Sequence, residues 1–124
     1  IFNMKTIAVV GMSPKPERPS HYVSVYMSQN GYNIIPVNPG HNSIMGKTSY
    51  SSLLDIKENV DIVNVFRRSE YVLPIINDAV SIKAKAVWLQ DGVISEEGEK
   101  IAKENEMLFI MNDCLLRRHK QYNG

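Results

Sequence analysis

Short apolar runs recur along the chain and alternate with stretches of helical periodicity. Such nearly continuous runs are typical of parallel strands that are buried on both faces. The five runs occupy residues 7–10, 34–37, 62–66, 86–89 and 107–111. Between most of them, apolar residues return at spacings of three and four, as they do at Val23, Tyr26 and Met27. This periodicity predicts helices near 20–30, 70–82 and 95–105, with a shorter helix near 51–55.

The alternation of strands and helices predicts an α/β fold. It indicates parallel pairing with right-handed crossovers, and hence a Rossmann-like, doubly wound, parallel five-stranded sheet in three layers, α/β/α. We predict the strand order 3-2-1-4-5. Pro36 falls in the second strand, where a central position would lose a ladder hydrogen bond, so we place it at the carboxyl end of that strand.

Length and charge narrow the class of protein. A chain of 124 residues predicts one domain over residues 1–124, and Ile1–Asn3, ahead of Met4, are interpreted as residues left by cloning. The 14 Lys and Arg nearly balance the 13 Asp and Glu, which argues against a nucleic-acid partner. The single cysteine and the lack of a long apolar run predict a cytoplasmic protein with no membrane partner. The three histidines lack metal-ligand spacing, so no metal site is predicted.

Polar residues crowd the predicted carboxyl ends of the strands. In an open parallel sheet, ligands bind outside these ends, where the strand order reverses. The segments that converge there are the Gly11 loop, 37–46, 66–70, 90–92 and 112–114. The sequence therefore predicts a ligand site at this edge.

The amino ends of two predicted helices differ in charge. Ser95 is a predicted cap followed by three glutamates, whose negative charges already offset the positive end of the helix dipole. Ser20 is the predicted cap of the first helix, and no acid follows it in the first turn. That helix end is free for an external anion, with Lys15 and Arg18 as nearby cations.

The first loop departs from the pattern that binds NAD. Backbone N–H groups of Met12 or Ser13 could cradle phosphate oxygens, but three prolines in the loop lack an N–H. Ser13 and Pro16 replace the second and third glycines of the dinucleotide-binding motif. The second strand ends in Asn38 rather than in an acid that would bind a ribose hydroxyl. A phosphate-bearing ligand is predicted, but not the standard NAD pose.

Ordered motifs over nearly the whole chain resemble one family. They are "VVGMSPKPERPS", "VNPGHNSIMG" followed by "YSSLLDI", "VDIVNVFRRSE", "AKAVWLQDGV" and "MNDC". The set is similar to the stand-alone CoA-binding domain proteins, which resemble the nucleotide-binding domain of the succinyl-CoA synthetase alpha subunit and of ADP-forming acyl-CoA synthetases. The resemblance implies that coenzyme A or an acyl-CoA is bound across the first loop, with its pantetheine arm over the carboxyl ends of the strands.

The resemblance also assigns contacts residue by residue. It implies cofactor contacts from each of the turns that follow the first four strands. With the cations and the cap argued above, the predicted cofactor-binding residues are Gly11, Met12, Ser13, Pro14, Lys15, Arg18, Ser20, Asn38, Pro39, His41, Phe66, Arg67, Gln90, Asp91 and Gly92. Arg67 follows a buried strand and is the favoured phosphate partner outside the first loop.

The sequence departs from the family in two places. His41 stands where the ligase relatives carry a stronger cation, and Asp113 directly precedes Cys114 where the family has a residue between them. Cys114, with Asp113 before it and His119 after it, is a candidate reactive thiol or the site of a mixed disulfide with CoA, although a buried, inert thiol is the commoner case.

No catalytic residue is predicted, because 124 residues leave no room for the phosphohistidine domain of the ligases. Three alternatives stay open. The first is a CoA-binding module without catalysis, and the second is an enzyme or redox regulator that uses NAD(P) or another nucleotide. The third is a non-catalytic subunit of an acyl-CoA synthetase. A homodimer and a separate ligase chain are the protein partners considered.

Overall fold

The computed structural model describes residues 1–123, so Gly124, the last residue of the predicted domain, lies outside the described part. No helix in this part is long and apolar enough to cross a membrane. The strands are β1 (Thr6–Val10), β2 (Asn33–Val37), β3 (Ser43–Ile44), β4 (Lys47–Thr48), β5 (Ile62–Val65), β6 (Ala86–Leu89) and β7 (Leu108–Ile110). The α-helices are α1 (Pro19–Gln29), α2 (Val72–Ser81), α3 (Glu96–Glu104) and α4 (Leu115–Asn123).

Five strands form one parallel sheet in the order β2-β1-β5-β6-β7. Alternate residues of the strands supply two apolar cores. Helices α1 and α4 pack on one face through residues such as Val23, Met27 and Leu115, and α2 and α3 pack on the other through Ile76 and Ala102. The predicted doubly wound, three-layer α/β/α fold is confirmed.

The predicted strand order is wrong in one respect. The third predicted strand, β5, lies beside β1 and not outside β2, so the order in the predicted numbering is 2-1-3-4-5. Pro36 gives a physical reason. Its carbonyl accepts a hydrogen bond from the Tyr50 N–H on the outer side of β2, whereas the Val37 carbonyl accepts from Gly11 on the β1 side. The missing N–H of Pro36 therefore faces the sheet edge, where it costs no strand pairing.

Two elements were not predicted from the sequence. Strands β3 and β4 form a small antiparallel hairpin within the segment that follows β2. Helix α4 buries Leu115 and His119, one turn apart, although two basic residues lie between them. The short helix predicted near 51–55 is a 3-10 turn at Leu53–Asp55, capped by the Ser52 hydroxyl.

Candidate functional site

Gly11 joins the first loop to the turn after β5. Its φ is +84°, a conformation that glycine adopts at little cost. A Cβ at this position would lie 2.8 Å from the Phe66 carbonyl oxygen and 2.9 Å from Cδ of Arg67. The single glycine is thus needed for its backbone angle and for this close approach. Because β5 lies beside β1, the observed strand order brings Phe66 and Arg67 to the point where the sheet reverses.

Hydrogen bonds within the first loop hold it against α1. The Ser13 N–H donates to the Ser20 hydroxyl at 2.9 Å, and the Lys15 N–H donates to the Ser13 hydroxyl at 3.1 Å. His21 Nδ1 lies 2.9 Å from the Ser13 carbonyl oxygen. Since Ser13 is held at its N–H, its hydroxyl and its carbonyl, the loop has a fixed shape before any ligand arrives.

The predicted cap of α1 is wrong. Arg18 is the N-cap residue and Pro19 is the first residue of the helix. Within the described chain, no side chain forms a capping hydrogen bond at this helix end. Proline suits that position because its missing N–H has no helical partner there. Ser20 instead uses its hydroxyl on Ser13, so the Ser13 N–H that was expected to face a ligand is already bonded.

The predicted contrast between the two helix ends is present. The first turn of α1 holds no acidic residue. Helix α3 is capped by the Ser95 hydroxyl, which accepts a hydrogen bond from Gly98 N–H at 3.0 Å, and its first turn carries Glu96, Glu97 and Glu99. The first turn of α1 therefore supplies no negative charge to offset the positive end of its helix dipole.

Asn38 ties the second loop to the first. Its side-chain amide donates to the Met12 carbonyl at 2.9 Å, and its side-chain oxygen accepts from Gly40 N–H at 2.9 Å. The Met12 side chain is fully buried in the core, which leaves only its backbone near the loop surface. Pro39 is exposed, and His41 lines the first of the clefts described below.

A continuous band of clefts follows the carboxyl edge of the sheet. The first cleft, of about 480 Å³, is lined by Gly11, Ser13, Pro14, Lys15, Arg18, Pro19, Ser20, Asn38, His41 and Phe66. The second, of about 280 Å³, adds Arg67, Arg68 and Tyr71. The third, of about 340 Å³, adds Gln90, Asp91, Gly92 and Val93. Phe66 lines all three, so the structure brings most of the predicted site residues to one surface.

Four exposed cations on this band lack an acidic partner. Within residues 1–123, the ion pairs involve Lys85, Arg117 and Arg118 only. The unpaired cations are Lys15, Arg18, Arg67 and Arg68. The guanidinium of Arg67 lies over the Tyr71 ring, 5.2 Å from its centroid, which orients it without neutralising its charge. Sequence reasoning missed Arg68 and Tyr71, whose position follows from the 3-10 turn at Ser69–Tyr71.

The turn after β6 is bonded to other parts of the chain. Gln90 is buried, and its amide donates to the side-chain oxygen of Asn64, a buried polar residue in the middle of β5 that was not predicted. Both carboxylate oxygens of Asp91 accept hydrogen bonds from Arg117 of α4. Gly92 N–H donates to the Asn112 side chain at 2.8 Å. Arg117 was missed because α4 was missed.

Within residues 1–123, no basic side chain hydrogen-bonds to the Cys114 thiol. Cys114 is free and half-buried just before α4, and its N–H donates to Asp113 Oδ1 at 2.8 Å. His119, which the sequence offered as a partner, is buried with its Nδ1 2.9 Å from the Tyr26 hydroxyl. Three aromatic rings pack edge-on against it, those of Phe2, Tyr26 and Tyr32. A reactive role for Cys114 stays a prediction.

Known proteins are similar to this chain in sequence and in fold. The chain is 43% identical over 115 residues to the uncharacterized protein YneT of Bacillus subtilis, a match that covers 93% of this chain and 85% of that protein. A solved structure from Thermus thermophilus, described as cell-free ID.343, superposes with a TM-score of 0.92 at 38% identity and covers 97% of this chain and 91% of the other.

A longer relative carries the same segment. The acetate–CoA ligase (ADP-forming) II of Archaeoglobus fulgidus is 30% identical over 105 residues, which are 83% of this chain but 16% of the ligase. The family profile described as "CoA binding domain" matches residues 5–120. The chain therefore belongs to the CoA binding domain family.

Proposed function

We propose that the chain binds coenzyme A or an acyl-CoA along the carboxyl edge of the sheet. The observation that carries this proposal is the set of unpaired cations, Lys15, Arg18, Arg67 and Arg68, on clefts that meet at Gly11. The acid-free amino end of α1 opens on the same surface and adds to the positive potential. CoA carries a diphosphate and a 3′-phosphate monoester, and this high charge suits several cations better than the two charges of NAD do.

The cleft dimensions support a ligand that lies across the edge. The phosphates would take the first cleft, near Lys15 and Arg18, with Arg67 beside them. The pantetheine arm would then pass Phe66 toward the third cleft, where Gln90 and Val93 are buried. This part of the edge mixes apolar and amide groups, which match an arm that contains both.

Binding can be tested with a ligand panel and two variants. Thermal shift and calorimetry with CoA, dephospho-CoA, NAD and ATP should give the largest stabilisation with CoA, about 2.7 kcal/mol at a hundred times its Kd. Lys15→Ala and Arg67→Ala should each weaken CoA binding about tenfold or more, because a hydrogen bond to a charged group contributes about 1.5–3 kcal/mol.

Lys100→Ala is the matched control, since Lys100 is exposed on α3 and lines none of the three clefts. A clear shift with NAD and none with CoA would overturn the proposal in favour of a nucleotide-dependent enzyme or regulator. Unchanged CoA affinity in both site variants would move the phosphates away from the first cleft.

A protein partner is a second proposal, supported by the ligase relative, in which the matching segment is 16% of a longer chain. We propose that the chain docks on a separate ligase chain and presents its bound CoA there. Affinity purification followed by size-exclusion chromatography should then recover the chain together with a larger one that holds acyl-CoA synthetase activity. Elution of the chain alone, with or without CoA, would contradict this proposal.

A further inference from the structure

Asp91 is the acidic side chain on an edge otherwise lined by cations and neutral groups. Among the residues of the described chain that line the three clefts, it is the single carboxylate. A negative charge at this position would disfavour a polyphosphate ligand elsewhere on the band through a longer-range repulsion, which is strongest at low salt. The fold places Asp91 at the border of the third cleft, next to Gln90, so its charge affects any anion bound along the band.

Arg117 of α4 neutralises this carboxylate. Its Nη1 and Nη2 donate to Asp91 Oδ2 and Oδ1 at 3.2 and 3.0 Å, so both oxygens are paired in a two-pronged contact. Paired planar groups of this kind are the strongest hydrogen-bonded ion pairs in proteins. The Asp91 side chain is 58% exposed, so the pair is in contact with water and its main effect is on the local charge.

Arg117 is itself held in place by the start of α4. Its Nη2 also contacts Asp113 Oδ1 at 3.0 Å, four residues earlier, and Arg118 Nε contacts Asp113 Oδ2 at 2.6 Å. Burial alone would raise the pKa of Asp113, but the hydrogen bonds from Arg118, the Cys114 N–H and Arg117 outweigh it and lower the pKa. The Asp113 carboxylate is thus kept charged and holds Arg117 toward Asp91.

The turn itself does not depend on Arg117. Gly92 N–H is bonded to the Asn112 side chain, and Asn112 N–H donates to the Val93 carbonyl at 3.1 Å. Val93 N–H closes the turn on the Gln90 carbonyl at 2.9 Å. Removing the Arg117 side chain should therefore leave the turn attached while it exposes the charge of Asp91.

We propose that Arg117 is a positioning residue that masks Asp91 and so makes the edge selective for highly charged anions. The inference rests on the proposed function, since the masked edge is the one on which CoA is proposed to lie. Under this inference Asp91 affects CoA binding through its charge, and not through the direct contact with CoA that the family resemblance implied.

Calorimetry on Arg117→Ala, Asp91→Asn and the double variant tests the proposal with CoA as the ligand. Arg117→Ala should weaken binding about three- to tenfold at low salt and less at high salt, because screening weakens the exposed repulsion. Asp91→Asn should bind as tightly as the wild type or up to about threefold more tightly. The double variant should regain wild-type affinity to within about twofold, since the charge that Arg117 masks is then absent.

Lys120→Ala is the matched control, because Lys120 is also an exposed cation of α4, but it lies over the Tyr26 ring and contacts neither Asp91 nor Asp113. A double variant as weak as Arg117→Ala would overturn the masking role and show that the side chain acts by holding the turn. Weaker binding by Asp91→Asn alone would overturn it in favour of a direct contact with the ligand.

Inorganic pyrophosphate, titrated into the same proteins and followed by NMR at the Ser13 amide of the first cleft and the Gly92 amide of the third, separates this inference from the proposed function. The same order of affinities with pyrophosphate, without CoA binding, would support the mask and overturn the CoA proposal. CoA binding that is unchanged in Arg117→Ala would overturn the masking role of Arg117 and support the CoA proposal. Failure of both ligands at this edge would overturn both.

Discussion

At the scale of single residues, Gly11 shows how one position can fix a site. A motif comparison alone notes that two glycines of the dinucleotide pattern are missing. The structure shows that the remaining glycine, Gly11, lets the Phe66 carbonyl and the Arg67 side chain approach the first loop closely, because it has no Cβ. The site is thus built by contact between the turns after β1 and β5.

Gly11→Ala tests this close approach, with Gly31→Ala as the matched control. Both glycines have a positive φ, +84° and +91°, so each alanine incurs about 1–2 kcal/mol of backbone strain. A Cβ at Gly31 meets nothing within 4 Å, whereas one at Gly11 meets a backbone carbonyl. Urea unfolding should therefore show a loss at Gly11 larger by about 1 kcal/mol or more. Equal losses would contradict a role for close packing.

Other residue roles depended on contacts that sequence spacing does not carry. Lys15, Arg18 and Arg67 could be predicted to lie near the cleft because they follow buried strands or precede a helix. Ser20 and Asn38 were predicted to serve the ligand, yet both bond to the protein itself. Short polar side chains bond to whichever backbone group the fold brings near, and this choice is tertiary.

At the scale of elements, α4 is the main omission of the sequence reading. Two arginines, Arg117 and Arg118, lie between Leu115 and His119 and obscured the buried side of the helix formed by positions 115 and 119. The buried member at 119 is a histidine that packs among aromatic rings, and hydropathy alone does not mark it as a core residue. The strand order was likewise misjudged, although Pro36 already argued for an edge position.

Leu115→Ala should show that α4 is part of the core. Leu115 is fully buried, and its truncation should lower the free energy of unfolding by about 2–5 kcal/mol. The neighbouring Leu116 is only half-buried, so Leu116→Ala is the matched control and should lose clearly less. Equilibrium urea unfolding of both variants gives the comparison. Similar small losses would mean that α4 contributes little to stability.

At the scale of the whole molecule, the fold class followed from the sequence because both faces of the parallel sheet are covered. The five apolar runs correspond to the five strands of the main sheet. What periodicity could not supply was the set of ion pairs and turn contacts between distant segments, such as that of Asp91 with Arg117. These contacts join residues 26 positions apart and have no local signature.

The stability of the whole chain should fall in acid for a defined reason. Burial acts to raise the pKa of Asp61, but hydrogen bonds from the Thr6 and Lys5 N–H groups and contact with Lys85 outweigh it, so the pKa is lowered. The pKa of Asp113 is lowered by its arginine contacts. A carboxyl group with a lowered folded-state pKa stabilises the fold above its unfolded pKa of about 4, and this contribution is lost as the pH falls through the folded-state pKa.

Urea unfolding from neutral pH down to about pH 3 should therefore show a loss that Asp61→Asn makes shallower. Asp55→Asn is the control, since Asp55 is exposed and forms no ion pair within residues 1–123. An unchanged slope in Asp61→Asn would show that the acid sensitivity arises elsewhere.

The indole of Trp88 links the sheet to the start of α4. It is the single tryptophan of the chain, it is 2% exposed, and its Nε1 donates to the Asp113 carbonyl at 2.9 Å. The chain therefore carries its own fluorophore where the sheet meets the start of α4. Detachment of α4 would admit water to the ring and shift its emission to longer wavelength, so the state of this helix can be followed without any label.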